Sequence, residues 1–195
     1  MKRSVLISGI GAGFMLSISV AAPASAGPVQ IIPWEDSYTV VHAVGEDGWC
    51  PPDVVDFDVT ETFDGSGIDR ITTQRDGLIR FAGTYTTDTA YSANGNTLVN
   101  AAHGNYRDAD VVDNGDGTLT IHFKDARSTK VRLDGTSLFQ NTGLVEGSVI
   151  FDHNGTPTDP DDDEFIEVDG QIGFHGRFDT QDRDFYEDIA TYLGD

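Results

Sequence analysis

The sequence predicts an all-β protein: an antiparallel meander closing as a β-barrel or barrel-like sandwich, with a short C-terminal α-helix. Three observations carry this. Residues 108–124 read as a β-hairpin, with Leu119, Ile121 and Phe123 alternating against Thr118, Thr120, His122 and Lys124. The turn of that hairpin, residues 114–117 (Asn-Gly-Asp-Gly), holds residues that tolerate positive φ. Asx-Gly pairs then recur at positions 76, 94, 114, 134, 154 and 169, most of them 20 residues apart. A step of that size fits two strands of ordinary length and two connections. The return connections are expected near Asp88, His103-Gly104, residues 125–128 and Thr142-Gly143, giving eight to eleven strands.

In chain order, residues 1–26 read as a signal peptide. Lys2 and Arg3 precede an apolar stretch, and Ala24-Ser25-Ala26 fits a small-x-small cleavage site. Residues 27–49 form an N-terminal arm, with a possible first strand over 37–44. Residues 50–195 form a single β-rich domain. Val55, Phe57, Val59 and Phe63 alternate with polar residues, as a strand with one wet face does. Hairpins follow around Asp76-Gly77, Asn94-Gly95, Asp134-Gly135 and Asp169-Gly170. At the end, Phe185, Ile189 and Leu193 recur every four residues, which predicts a helix over 182–193 capped by Asp182 or Thr180.

Charge narrows the function. Removing Lys2 and Arg3 leaves 10 basic residues against 33 acids, a net charge of −23. Nucleic acid and anionic membranes need basic patches, so neither is an expected partner, and no membrane insertion is expected. Of the 33 acids 26 are Asp, a surface that suits salty surroundings, where screening removes self-repulsion. Cys50 is the lone cysteine. It is buried and inert, joins two chains as a disulfide dimer, or stays an unpaired thiol.

The sharpest local feature is the acidic run Asp159, Asp161, Asp162, Asp163 and Glu164. Calcium takes six to eight hard oxygens, and clustered carboxylates on a turning loop supply several. The competing reading is a solvated loop whose Asp side chains bond their own backbone. The run at 114–117 lacks an EF-hand's first and last ligands. No histidine pair has zinc-ligand spacing, and Gly65-Ser66-Gly67 lacks the frame of a serine nucleophile elbow.

Residues 113–120, 151–160, 162–165, 176–179 and 184–188 resemble a family of small secreted β-rich proteins of actinobacteria with no established activity. The resemblance implies export and a β-rich domain. It also implies a cysteine where this chain has Tyr186, paired in relatives with the counterpart of Cys50. The Cys50 thiol is then expected beside Tyr186, with half a bridge worth about 2–4 kcal/mol lost.

The leading expectation is a non-enzymatic extracellular binding or surface-associated protein, secreted, with a small-molecule pocket in the barrel mouth. The alternatives are a hydrolase with catalytic carboxylates on the strand connections and a calcium-stabilised adhesin-like module. No cofactor is required by this reading; calcium is the one candidate.

Overall fold

A computed structural model describes residues 29–45, 49, 51 and 53–194. Residues 1–26, read above as a signal peptide, and Cys50, with its expected place beside Tyr186, lie outside the described residues. The fold is mostly β, as the alternation requires. Seven strands form one antiparallel meander: β1 (Gln30–His42), β2 (Val59–Thr73), β3 (Ile79–Ala93), β4 (Asn96–Asp113), β5 (Thr118–Leu133), β6 (Thr136–Asp152) and β7 (Glu164–Phe178). A 3-10 turn (Pro160–Asp162) precedes β7, and the helix α1 spans Phe185–Leu193.

The sheet is not a barrel and has no second sheet against it. Its order is linear, with β1 and β7 at opposite edges. Strands of 13 to 18 residues explain the difference from the sequence expectation. Twenty residues make one long strand and one turn, not two short strands, so the Asx-Gly turns alternate between the two ends of the sheet. Asp88, His103-Gly104, residues 125–128 and Thr142-Gly143 sit inside β3, β4, β5 and β6 instead of at returns. Asp169-Gly170 does not close a hairpin either. It forms a bulge within β7, where the register against β6 slips between Glu146 and Ser148 and Gly170 takes φ 77°. At Asn94-Gly95 and Asp134-Gly135 both residues have positive φ, the backbone of a tight two-residue hairpin.

Cross-strand register assigns every side chain to one of two faces. Val59, Phe63, Gly67 and Asp69 of β2 share the inner face with Trp34 and Tyr38 of β1, Tyr85 and Tyr91 of β3, Leu98 and Tyr106 of β4, and Asp125 and Val131 of β5. The helix covers one end of this face. Ile189 and Leu193 are fully buried against Val55, Val59 and Leu98, each side chain worth about 1.5–3 kcal/mol. Val55 and Phe57, expected within a strand, precede β2 and join this cluster. Asp184, not Asp182 or Thr180, caps the helix by accepting from the Tyr186 and Glu187 amides, and Asn94 Nδ2 donates to the Leu193 carbonyl at 2.9 Å.

Beyond the helix the inner face is held by glycines under aromatic rings. A Cβ at Gly83 would come within 2.7 Å of both Tyr106 Cε1 and the Ile68 carbonyl oxygen. One at Gly104 would lie 2.7 Å from the Ala126 oxygen and 2.8 Å from the Tyr85 hydroxyl, and one at Gly67 would strike the Thr84 oxygen and the Trp34 ring. The missing Cβ atoms thus leave room for the rings to lie against the strand backbone. The rings are pinned at their polar ends. Tyr106 donates to Asp69 Oδ1 at 2.7 Å, Trp34 Nε1 donates to the same oxygen at 3.2 Å, and Tyr85 donates to Asp125 at 3.1 Å. Asp69 and Asp125 are buried, and Arg127 completes the group by pairing with Asp125.

Gly83→Ala is expected to destabilise the fold by about 1–3 kcal/mol through overpacking. Gly173→Ala, where the methyl meets nothing closer than 3.3 Å, is expected to cost clearly less. Urea unfolding of both variants checks this.

Candidate functional site

Across β1, β2 and β3, a hollow of about 620 Å³ lies between two rows of outer-face side chains. One row is Pro33, Ile68 and Thr84; the other is Glu35, Ser66 and Thr86. Trp34, Gly67 and Tyr85 supply the floor with their backbone, because their side chains belong to the opposite face. The lining thus offers three hydroxyls, one carboxylate and two small apolar surfaces.

One row further along the same strands the face becomes basic. Arg70, Ala82, Arg107, Lys124 and Glu146 stand in register across β2 to β6. Arg107 and Lys124 are direct cross-strand partners, an arrangement of like charges that costs stability. Lys124 Nζ reaches Glu146 at 2.9 Å, and Arg80, two residues before Ala82 on the same strand, pairs with Asp110. Arg70 and Arg107 are exposed and make no ion pair among the described residues. In a chain with 33 acids, two unpaired arginines flanking one alanine are conspicuous. Seven basic residues (Arg70, Arg80, Arg107, Lys124, Lys130, Arg132 and Arg177) share this face, whereas Arg127 alone lies on the inner one.

The acidic run stands in the β6–β7 loop, at the end of the sheet where β2–β3 and β4–β5 also turn, with Thr158 against Gly77. Asp159 caps the 3-10 turn by accepting from the Asp161 amide at 3.2 Å, and Thr156 Oγ1 donates to both Asp162 oxygens. Asp163 has one buried oxygen without a partner, and burial together with Asp162 pushes its carboxyl up to about 6. Glu164 is exposed and begins β7. These side chains cap and brace their own loop. Among the described residues, no three or more His, Cys, Asp or Glu side chains are grouped to hold a metal ion. Beside the loop, buried His153 accepts from the Gly155 amide at Nδ1, which leaves the proton on Nε2, 4.0 Å from Asp113. Tyr186 packs its ring edge-on against Trp49 at 5.8 Å. With the sheet open, there is no barrel mouth to hold a pocket.

Two strongly shifted acids bear on the hydrolase alternative, and neither lines the hollow. Asp163 is in the loop. Asp108 is on the inner face, where burial pushes its carboxyl up to about 6 although it accepts the Phe81 amide at 2.7 Å.

The sequence reading missed Arg70, Arg107 and Lys124. The available signal was parity: each falls among the polar positions of its strand. Which strands bring them together depends on register, which the sequence alone does not supply. No protein-family model matches the chain, no curated protein matches it, and no solved structure matches it.

The raised Asp108 carboxyl predicts a pH effect of definite sign. A folded value near 6 against an ordinary 3.8 means that the fold holds this proton more tightly than the unfolded chain. The contribution is therefore greatest below about pH 4 and is lost as pH rises through 6. Asp108→Asn, which keeps the acceptor for Phe81, is expected to raise Tm at about pH 7.5 and to leave it nearly unchanged at about pH 4. Thermal melts at both values check this. In the same assay, millimolar calcium is expected to raise Tm no more than sodium chloride of equal ionic strength does.

Proposed function

We propose that the protein is a secreted, non-enzymatic binding protein that takes an anionic extracellular ligand on the outer face of its sheet. The observation that carries this reading is the row Arg70–Ala82–Arg107–Lys124. A fold gains nothing from setting Arg107 directly against Lys124, or from leaving two guanidinium groups unpaired on a strongly acidic surface. An anion lying across the row neutralises both, and the guanidinium fork suits a carboxylate or similar oxyanion. The row spans three strand spacings, about 14 Å, so it reads an extended ligand and not a single small ion. Export rests on the signal-peptide pattern of residues 1–26 and on the resemblance to secreted actinobacterial proteins.

Titration calorimetry with dextran sulfate tests this, with neutral dextran as the control. The expected result is salt-sensitive binding of the sulfated polymer alone, weakened tenfold or more in the Arg70→Gln/Arg107→Gln double variant. Binding that ignores these substitutions, or no binding, contradicts the proposal. Arg107→Gln is expected to fold at least as stably as the parent, gaining about 0.2–1 kcal/mol as the like-charge pair is relieved. A loss of binding in that variant therefore does not report unfolding.

A further inference from the structure

We infer that the anionic ligand is a chain of sugar rings bearing carboxylate groups, an acidic polysaccharide of the uronic-acid type. The hollow holds a ring while the cation row holds its charge. This rests on the anion-binding reading and adds the hollow to it. Ile68 and Thr84 on the rim of the hollow lie two residues from Arg70 and Ala82 on the same strands and the same face. The hollow and the row are therefore adjacent, about 7 Å apart along the strand direction.

The chemistry of the hollow selects the body of the ligand. Ser66, Thr84 and Thr86 can each donate and accept. Pro33 and Ile68 offer apolar surface of limited extent, suited to the C–H face of a sugar ring. Glu35 accepts hydrogen bonds only, so it favours a hydroxyl and repels a second anion inside the hollow. The ligand therefore carries hydroxyls at one position and its carboxylate about one row away, over Arg70 and Arg107. An acidic peptide meets the second requirement and fails the first. A neutral glycan meets the first and leaves the arginines unpaired. The hollow is open and crosses the strands, so it accommodates one segment of a continuing chain.

The test compares binding of four compounds: an oligogalacturonide, polyglutamate of similar charge, a neutral oligosaccharide and dextran sulfate. The proteins are the parent, Arg70→Gln/Arg107→Gln, and Ser66→Ala/Thr84→Val, which removes two hydroxyls from exposed strand positions without adding bulk. The expected result is that the parent binds the oligogalacturonide at least tenfold more tightly than polyglutamate. Ser66→Ala/Thr84→Val is expected to erase that preference while retaining dextran sulfate, and Arg70→Gln/Arg107→Gln to lose every anionic ligand. Equal binding of oligogalacturonide and polyglutamate, or binding of dextran sulfate without the oligogalacturonide, overturns the sugar assignment and leaves the anion-binding reading standing. A preference that survives Ser66→Ala/Thr84→Val overturns the role of the hollow. Failure of all four compounds to bind overturns both readings.

Discussion

A sheet one layer thick has no facing layer in which to bury its apolar side chains. Here the rings of the inner face are laid down onto the sheet itself. Tyr106 covers Gly83, Tyr85 covers Gly104 and Trp34 covers Gly67, so each ring packs against backbone that a Cβ would otherwise occupy. Asp69 and Asp125 then fix the rings by accepting from their hydroxyl and indole groups. The consequence for the two phenols is large: burial and the adjacent carboxylates push Tyr85 and Tyr106 well above the ordinary tyrosine range. Both remain neutral donors under all ordinary conditions. The helix covers the larger of two apolar clusters among the described residues, at the end of the face where Leu98 and Val59 lie; the smaller, Leu78, Val111 and Leu119, sits at the opposite end. Elsewhere the packing is ring on glycine, with a polar lock at the end of each ring.

This arrangement couples the two faces. Gly67 lies under the Trp34 ring on the inner face, and its backbone lines the hollow on the outer one. The hollow there is the reverse side of the inner packing, with the backbone of Trp34, Gly67 and Tyr85 as its floor. Electrostatics divides along the same line. Buried acids on the inner face are satisfied by phenol, indole and guanidinium donors. The outer face carries most of the basic residues, and some of them lack an acidic partner although acids outnumber bases about three to one in the chain. The acids that crowd the β6–β7 loop brace their own turn.

The sequence made the β class, the turns and the helix legible. Asn94-Gly95 and Asp134-Gly135 turn where their chemistry says, and Phe185, Ile189 and Leu193 do form a helix seated on the sheet. Strand length was not legible. Gly104 and Gly143 look like breaks because glycine commonly ends a strand. Here they sit mid-strand, beneath Tyr85 and Phe178. The buried Asp125 and Arg127 look like a loop for the same kind of reason: their partners, Tyr85 above all, lie about 40 residues away in sequence. The candidate site was hidden by register. Arg70 and Arg107 are 37 residues apart, and only the pairing of each with Ala82 makes them neighbours.

The most direct test of where this molecule binds is an NMR titration of the isotopically labelled protein with a short oligogalacturonide, read residue by residue. The account predicts shift changes concentrated at Arg70, Ala82, Arg107 and Lys124 and at Ser66, Ile68 and Thr84, with the 153–164 loop and the helix silent. Changes centred on that loop, or on inner-face residues distant from these strands' outer rows, would contradict it.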